Sequence, residues 1–325
     1  MKALLALLLA ILFASALFFG GAWLLGLDGP ALERRIWQVQ TQIFGPEEVG
    51  IFQGDPRLGW RHLPNSEGRQ REVPDFDVRY HIDGFGNRRT PGAPEPGTPA
   101  LIFLGGSFTF GHGVEDAETY PALLQQRWPE VRIVNTATNG WGTAQALLSL
   151  DEHLNRESPV AGVVYAFISN HLARNHRRLP WLKAVDSLRG RRNPYFELEG
   201  DKLVFGGLAG PEQGIALDPQ QQERERRITA ALTRELARRC AEREIPFAVV
   251  YLPDGTKGPV APLLAGAVGH ERLIDLRNQL RYPRMHFAHD SHLRPDGHRQ
   301  VAAALAPLLS ERMQLPLSGK TRSDL

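Results

Sequence analysis

In the run Leu104-Gly105-Gly106-Ser107-Phe108-Thr109-Phe110-Gly111, a serine follows two glycines that allow backbone conformations closed to other residues. A serine hydroxyl is a weak nucleophile and must pass its proton to a base as it attacks. Ser107 is therefore read as the nucleophile of an ester-cleaving or acyl-transferring enzyme, its base supplied from elsewhere in the chain. The candidate base is His292, in His289-Asp290-Ser291-His292-Leu293-Arg294-Pro295. Asp290, two residues earlier, can hold the imidazole in the required tautomer, the orienting role in a Ser-His-Asp triad. The bland alternatives are a strand-to-helix turn at Ser107 and a helix cap or loop residue at Asp290. Thr109 occupies the position where an α/β-hydrolase carries the second glycine of G-x-S-x-G, which disfavours that fold.

Something must carry these residues to one place. After Pro99 the chain alternates apolar runs with helical patterns: Ala100 to Leu104, Thr119 to Arg127, Val131 to Val134, Thr143 to Leu154, then the β-branched and aromatic run Val160 to Ile168. A long amphipathic stretch over Gln222 to Arg243, an apolar run over Phe247 to Leu252, a short strand over Arg272 to Leu276 and a closing helix from Pro295 to Leu309 complete the pattern. Continuous apolar strands separated by helices predict a parallel sheet covered on both faces, a three-layer α/β/α fold with a central parallel sheet. Ligands bind at the carboxyl ends of such strands, where Ser107 would stand.

Four ordered blocks resemble the SGNH, or GDSL-type, hydrolases, named for blocks that supply Ser, Gly, Asn and His. The serine block is Leu104 to Val114, with Gly106 where the family usually has aspartate. The glycine block, Asn135-Thr136-Ala137-Thr138-Asn139-Gly140-Trp141-Gly142-Thr143, points to Gly140. The asparagine block, Phe167-Ile168-Ser169-Asn170-His171-Leu172, points to Asn170, with His171 where the family usually has aspartate. The last block is Asp290-Ser291-His292, although many members place the acid three residues before the histidine. The resemblance implies a flavodoxin-like sheet and an oxyanion hole combining the Ser107 and Gly140 backbone N–H groups with the Asn170 amide. The departures at Gly106 and His171 each remove a carboxylate beside the site and bear on pocket polarity more than on reaction type.

The chain of 325 residues carries 38 basic and 36 acidic side chains, a balance that gives no support to nucleic acid as a partner. From Ala3 to Leu27 there is no charged side chain, and about 20 apolar residues suffice to cross a bilayer core. Residues 1–27 are expected to form a retained single-pass transmembrane anchor. Cleavage at Ala14-Ser15-Ala16 is the alternative, but it would leave Leu17, Phe18, Phe19, Trp23, Leu24 and Leu25 at the new terminus. Arg34 and Arg35 outweigh Lys2 and argue for the opposite orientation, yet an N-terminal anchor on a small-substrate hydrolase points to an extracytoplasmic, periplasmic catalytic domain. Residues 28–99 read as a linker with short accessory strands, 100–315 as the hydrolase domain with an insertion over about 172–217, and 316–325 as a tail. The insertion holds Arg174, Arg177, Arg178, Lys183, Arg189, Arg191 and Arg192, read either as a solvated face or as a lid or basic surface. Cys240, the one cysteine, lies in a helical pattern and reads as a packed thiol.

No phosphate-loop or dinucleotide fingerprint follows the first core strand, so no cofactor is implied. His286, His289 and His292 with Asp290 can be drawn as a metal cluster, but loop spacing alone does not make ligands converge, and no metal is expected. The resulting expectation is a serine-dependent hydrolase acting on a small-molecule, lipid or glycan ester through a covalent acyl-enzyme. Acyl transfer to or from an exported polysaccharide is one alternative, and a non-catalytic glycan- or lipid-binding protein of the same fold is the other.

Overall fold

The computed structural model describes residues 50–187, 191–255, 260–280 and 284–315. The chain divides into two units, Met1–Glu48 and Val49–Leu325, and the described residues all belong to the second. The expected anchor over 1–27, the start of the expected linker and the tail over 316–325 lie outside them. Among the described residues, no helix is long and apolar enough to cross a membrane.

Two antiparallel hairpins come first: β1 (Phe52–Asp55) with β2 (Gly59–His62), and β3 (Glu67–Glu72) with β4 (Phe76–His81). Then follow β5 (Ala100–Leu104), β6 (Arg132–Asn135), β7 (Val160–Phe167), a third hairpin of β8 (Asn193–Glu199) and β9 (Lys202–Ala209), β10 (Phe247–Tyr251) and β11 (Leu273–Asp275). The main sheet runs β6-β5-β7-β10-β11, with every pairing parallel. Chain order therefore reverses between β5 and β7, and a crevice opens at their carboxyl ends, where ligands bind in open α/β sheets.

The helices are α1 (Ser107–Phe110), α2 (Tyr120–Gln125), α3 (Thr143–Arg156), α4 (His171–Arg174), α5 (Leu179–Asp186), α6 (Pro219–Ala241), α7 (Val260–Val268) and α8 (Pro295–Met313). Strand periodicity sends alternate side chains to opposite faces. Ile102, Leu104, Val163, Tyr165 and Phe167 pack with Ala144, Leu147, Leu150, Ile228, Leu232 and Leu264 of α3, α6 and α7. Leu101, Phe103, Val164, Ala166 and Val250 pack with Tyr120, Leu124, Val301, Leu305 and Leu309 of α2 and α8. Cys240 is fully buried in the first of these cores, and burial pushes its thiol up to about 12, in keeping with a packed side chain.

The stretch before β5 does more than link. Ile51, Phe76, Val78, Tyr80 and Ile82 pack in a small cluster with Phe110 and Ala137 of the main domain, so these strands are seated on that domain. Arg88, fully buried, fastens the two parts. Its Nε donates to Asp116 Oδ1 at 2.7 Å, its Nη2 to the Val114 carbonyl at 2.9 Å, and its guanidinium lies 4.3 Å from the Tyr80 ring centre. The backbone N–H of Arg88 also donates to the Asn135 carbonyl at the end of β6 (2.9 Å).

The insertion contributes α4, α5 and the β8–β9 hairpin. Among its described basic residues, Arg177 pairs with Glu197, Arg178 with Glu225 and Arg192 with Glu212, and Arg191 lies 4.6 Å over the Phe52 ring. Acids within the same unit thus pair with three of the insertion's arginines.

Removing Asp116 strands the buried Arg88 guanidinium. Asp116→Ala is expected to destabilise the protein by about 3–5 kcal/mol in urea unfolding, whereas Arg88→Met combined with Asp116→Leu costs less than that single change. Equal losses from the two would remove the pair as the fastening between hairpins and sheet.

Candidate active site

β5 ends at Leu104, and after Gly105 and Gly106 the chain turns into the single helical turn α1, which opens with Ser107. Position 106 leaves no room for a side chain. A Cβ there would lie 2.9 Å from His171 Nε2, 2.9 Å from the Trp141 carbonyl oxygen and 3.2 Å from Arg174 Nη1. Where the pattern that the sequence resembles has an aspartate, groups from two neighbouring loops take up the space beside Gly106, His171 among them.

The structure brings Ser107, His292 and Asp290 together. Ser107 Oγ is 2.7 Å from His292 Nε2, and His292 Nδ1 is 2.5 Å from Asp290 Oδ1. The same Asp290 oxygen accepts the His292 backbone N–H at 2.7 Å. This local turn, in which an aspartate bonds the backbone two residues on, explains how a spacing of two serves. Phe287 N–H donates to the His292 carbonyl and Arg294 N–H to the Met285 carbonyl, which folds the loop back on itself just before α8. With Nδ1–H donating to the carboxylate, Nε2 carries a lone pair for the serine proton, and the chain can relay a proton from hydroxyl to imidazole.

Burial lowers the His292 pKa from its ordinary 6.5, and the neighbouring His112 lowers it further, against the opposing pull of Asp290 and Glu72. For Asp290, burial alone would raise the pKa. Its contacts with His292 and His112 outweigh burial and hold the carboxyl well below the usual carboxylate range. The carboxylate form needed to orient His292 is therefore secured.

His112 is a site residue that no local pattern marks. Its ring centre lies 4.2 Å from that of His292. Its Nδ1 is 3.2 Å from Asn139 Nδ2, and its Nε2 is 3.6 Å from Glu72 Oε1 and 3.9 Å from Asp290 Oδ2. Glu72 and Gln70 come from β3, and Tyr80 on β4 donates to Gln70 Oε1 while accepting the Gly113 N–H, so the second hairpin forms the floor beneath the triad.

The histidine cluster imagined from spacing does not converge. His286 Nε2 lies 3.2 Å from the Pro253 carbonyl, and His289 Nδ1 lies 3.1 Å from Asp75 Oδ1. Ligand-type atoms of His112, Asp290 and His292 do come within 4.8 Å of one another, but His292 and Asp290 are already engaged with each other and with Ser107.

Gly140 follows β6 at φ +80°, in the left-handed region that favours glycine, and a Cβ there would approach Trp60 Cζ2 to 3.0 Å. Trp60, from β2, clamps this loop: its Nε1 donates to the Asn139 carbonyl at 3.0 Å, and its own carbonyl accepts Trp141 Nε1–H at 3.0 Å. Asn170 follows β7 and stands exposed at the start of α4. Among the described residues, the Ser107 N–H, the Gly140 N–H and the Asn170 side-chain amide make no hydrogen bond. The competing donors are occupied: Asn139 Nδ2 faces His112, and the Gly142 N–H donates to Gln145 Oε1 at 2.9 Å. Thr138 N–H to the Gly105 carbonyl (3.2 Å) and Arg174 Nη1 to the Trp141 carbonyl (2.9 Å) tie the three loops together.

No protein-family model matches the chain, and no curated protein matches it in sequence. Solved structures are similar in fold at low identity. A psychrotrophic esterase, EstA, from a Pseudoalteromonas species is 13% identical, with 66% of this chain and 98% of that one covered and a TM-score of 0.43. An acetylxylan esterase, Axe2, from Geobacillus stearothermophilus is 14% identical over 70% of this chain and 100% of its own, at TM-score 0.41. A GDSL-like lipase from Bacteroides thetaiotaomicron is 14% identical over 67% and 91%, at TM-score 0.40.

A base with a lowered pKa stays neutral to lower pH, so the acid limb of kcat/KM for an ester is expected below 6.5. His112→Phe removes one of the groups that depress His292 and is expected to move the limb upward; a limb that stays in place in a pH–rate profile would remove His112 from the tuning of the base. At position 106, Gly106→Ala forces its Cβ onto the Trp141 carbonyl. A loss of about 1–3 kcal/mol in thermal or urea unfolding is expected.

Proposed function

We propose that the chain is a serine-dependent ester hydrolase of the SGNH type. The observation that carries this reading is the hydrogen-bonded chain from Asp290 through His292 to Ser107, standing beside three donors that no described residue uses. Ser107 Oγ attacks the ester carbonyl while His292 Nε2 takes its proton. The carbonyl oxygen gains negative charge, and the Ser107 and Gly140 N–H groups with the Asn170 amide are the donors for it. One such preorganised donor is typically worth about 2.7–4 kcal/mol in the transition state. The imidazolium, stabilised by Asp290, returns the proton to the departing alcohol and leaves an acyl-Ser107 intermediate. Water, deprotonated by the same imidazole, then releases the acid.

Residues 1–27 are proposed to tether this domain to a membrane, with the site on the extracytoplasmic side. The support is the charge-free run from Ala3 to Leu27.

The test is labelling of the full-length protein by a fluorophosphonate, with 4-nitrophenyl acetate turnover measured alongside. Label is expected on Ser107 and nowhere on Ser107→Ala, which should lose about 10⁴-fold or more in kcat. Equal turnover by the two proteins would sink the serine mechanism. In the same assay Asp290→Asn is expected to keep the label site but lose about 10⁴-fold in kcat, through the wrong imidazole tautomer.

A further inference from the structure

Arg174 is a buried guanidinium without an acid. Buried Arg88 has Asp116 and buried Arg132 has Glu157, whereas Arg174, 8% exposed, makes no ion pair among the described residues. Its acceptor there is the Trp141 carbonyl, its Nε is buried without a partner, and its charge lies 4.6 Å over the Trp181 ring. Burial pulls the pKa down to about 10, which leaves the group a cation at neutral pH. Asp254, the acid whose field reaches it, instead accepts the Ser169 backbone N–H.

The place of this charge matters. Arg174 Nη1 is 3.2 Å from the Cβ position of Gly106, the residue before Ser107, and its carbonyl partner belongs to the residue after Gly140. His171, its neighbour at the same spot, is held neutral by burial and by Arg174, its pKa lying well below 6.5. An unpaired buried charge costs several kcal/mol, a cost that a well-placed anion offsets. Guanidinium matches carboxylate in shape and bonds it with two parallel N–H donors. The acids around the triad, Asp290 and Glu72, are engaged with His292 and His112, and Asp254 reaches Arg174 through its field without forming an ion pair with it among the described residues.

We propose that Arg174 is the specificity residue of this site and binds a carboxylate carried by the substrate, so that the preferred ester is an anionic one. The inference rests on the serine-hydrolase reading above. The carboxylate could sit in the acyl chain or in the alcohol, for instance on an acetylated uronic acid, and the two sources are separable.

Full-length enzyme is assayed on two matched pairs: mono-4-nitrophenyl adipate against 4-nitrophenyl hexanoate for the acyl side, and acetylated glucuronic acid against acetylated glucose for the alcohol side. In at least one pair kcat/KM is expected to favour the anion by about tenfold or more, since a hydrogen bond to a charged group is worth that much. Arg174→Met should collapse the ratio toward one, and Arg174→Lys should keep part of it. Ratios near one in both pairs, or a ratio that survives Arg174→Met, overturn the proposal. Should Arg174→Met not fold, inhibition of wild-type hexanoate turnover decides: adipate inhibiting where adipamide does not supports the carboxylate site, and equal inhibition overturns it. An enzyme that is labelled at Ser107 and active but indifferent to charge refutes this inference alone, whereas absence of label and turnover refutes the hydrolase reading and this inference with it.

Discussion

A side chain at position 106 has nowhere to go, and much of the site follows from that. His171 Nε2, the Trp141 carbonyl and Arg174 Nη1 crowd the point where its Cβ would stand. These groups come from the loops that follow β6 and β7, while Gly106 follows β5. The three strands are neighbours in a parallel sheet, so their carboxyl ends emerge side by side and the loops must pack against one another. Close packing restrains the loops against one another, which a proton relay and an oxyanion pocket would both demand. The missing Cβ is thus a condition of the geometry around Ser107.

The hairpins before β5 supply the second constraint. Trp60 grips the Asn139–Trp141 backbone from both sides, and the β3–β4 hairpin sets Glu72 and Gln70 beneath His112. Gly140 can adopt φ +80° because it has no Cβ, and the backbone on either side of it is held by Trp60 and Gln145. Buried Arg88 holds these hairpins to the sheet through Asp116, Val114 and Asn135. The accessory strands therefore act on the chemistry by restraint rather than by touching the nucleophile.

What could be read from sequence was what is local. β5, β7 and β10 are buried on both faces and so appear as unbroken apolar runs, and Ser107 and the Asp290–His292 turn each announce themselves within a few residues. Trp60, Glu72, His112 and Arg174 carry no such signal, because their roles exist only through contacts across the fold; Trp60 and Asn139 are 79 residues apart. The same limit explains the histidine cluster that spacing suggested. His286, His289 and His292 are close in sequence, but the doubled-back loop turns them toward Pro253, Asp75 and Ser107 respectively. The acid partners of Arg177, Arg178 and Arg192 in the insertion carry no local signal either, because Glu197, Glu225 and Glu212 lie 20 to 47 residues away.

Electrostatically the site has two unlike sides. Asp290 and Glu72 stand on the side of His292 and His112, where the proposed mechanism would form an imidazolium as Ser107 gives up its proton. Arg174 holds positive charge on the side of Gly106 and Trp141, beside the loops that carry the unpaired N–H groups. Attack on an ester separates charge in that same sense, an imidazolium on one side and an oxyanion on the other. A burial cost for fixed charges is incurred on folding, before substrate arrives, so that little reorganisation remains at the moment of reaction. The pattern that the sequence resembles has aspartates at the places of Gly106 and His171; a carboxylate beside Arg174 would pair with that cation, and here a glycine and a neutral histidine stand there. Gly106, the neutral His171 and an arginine with no ion pair among the described residues thus meet at one spot beside Ser107.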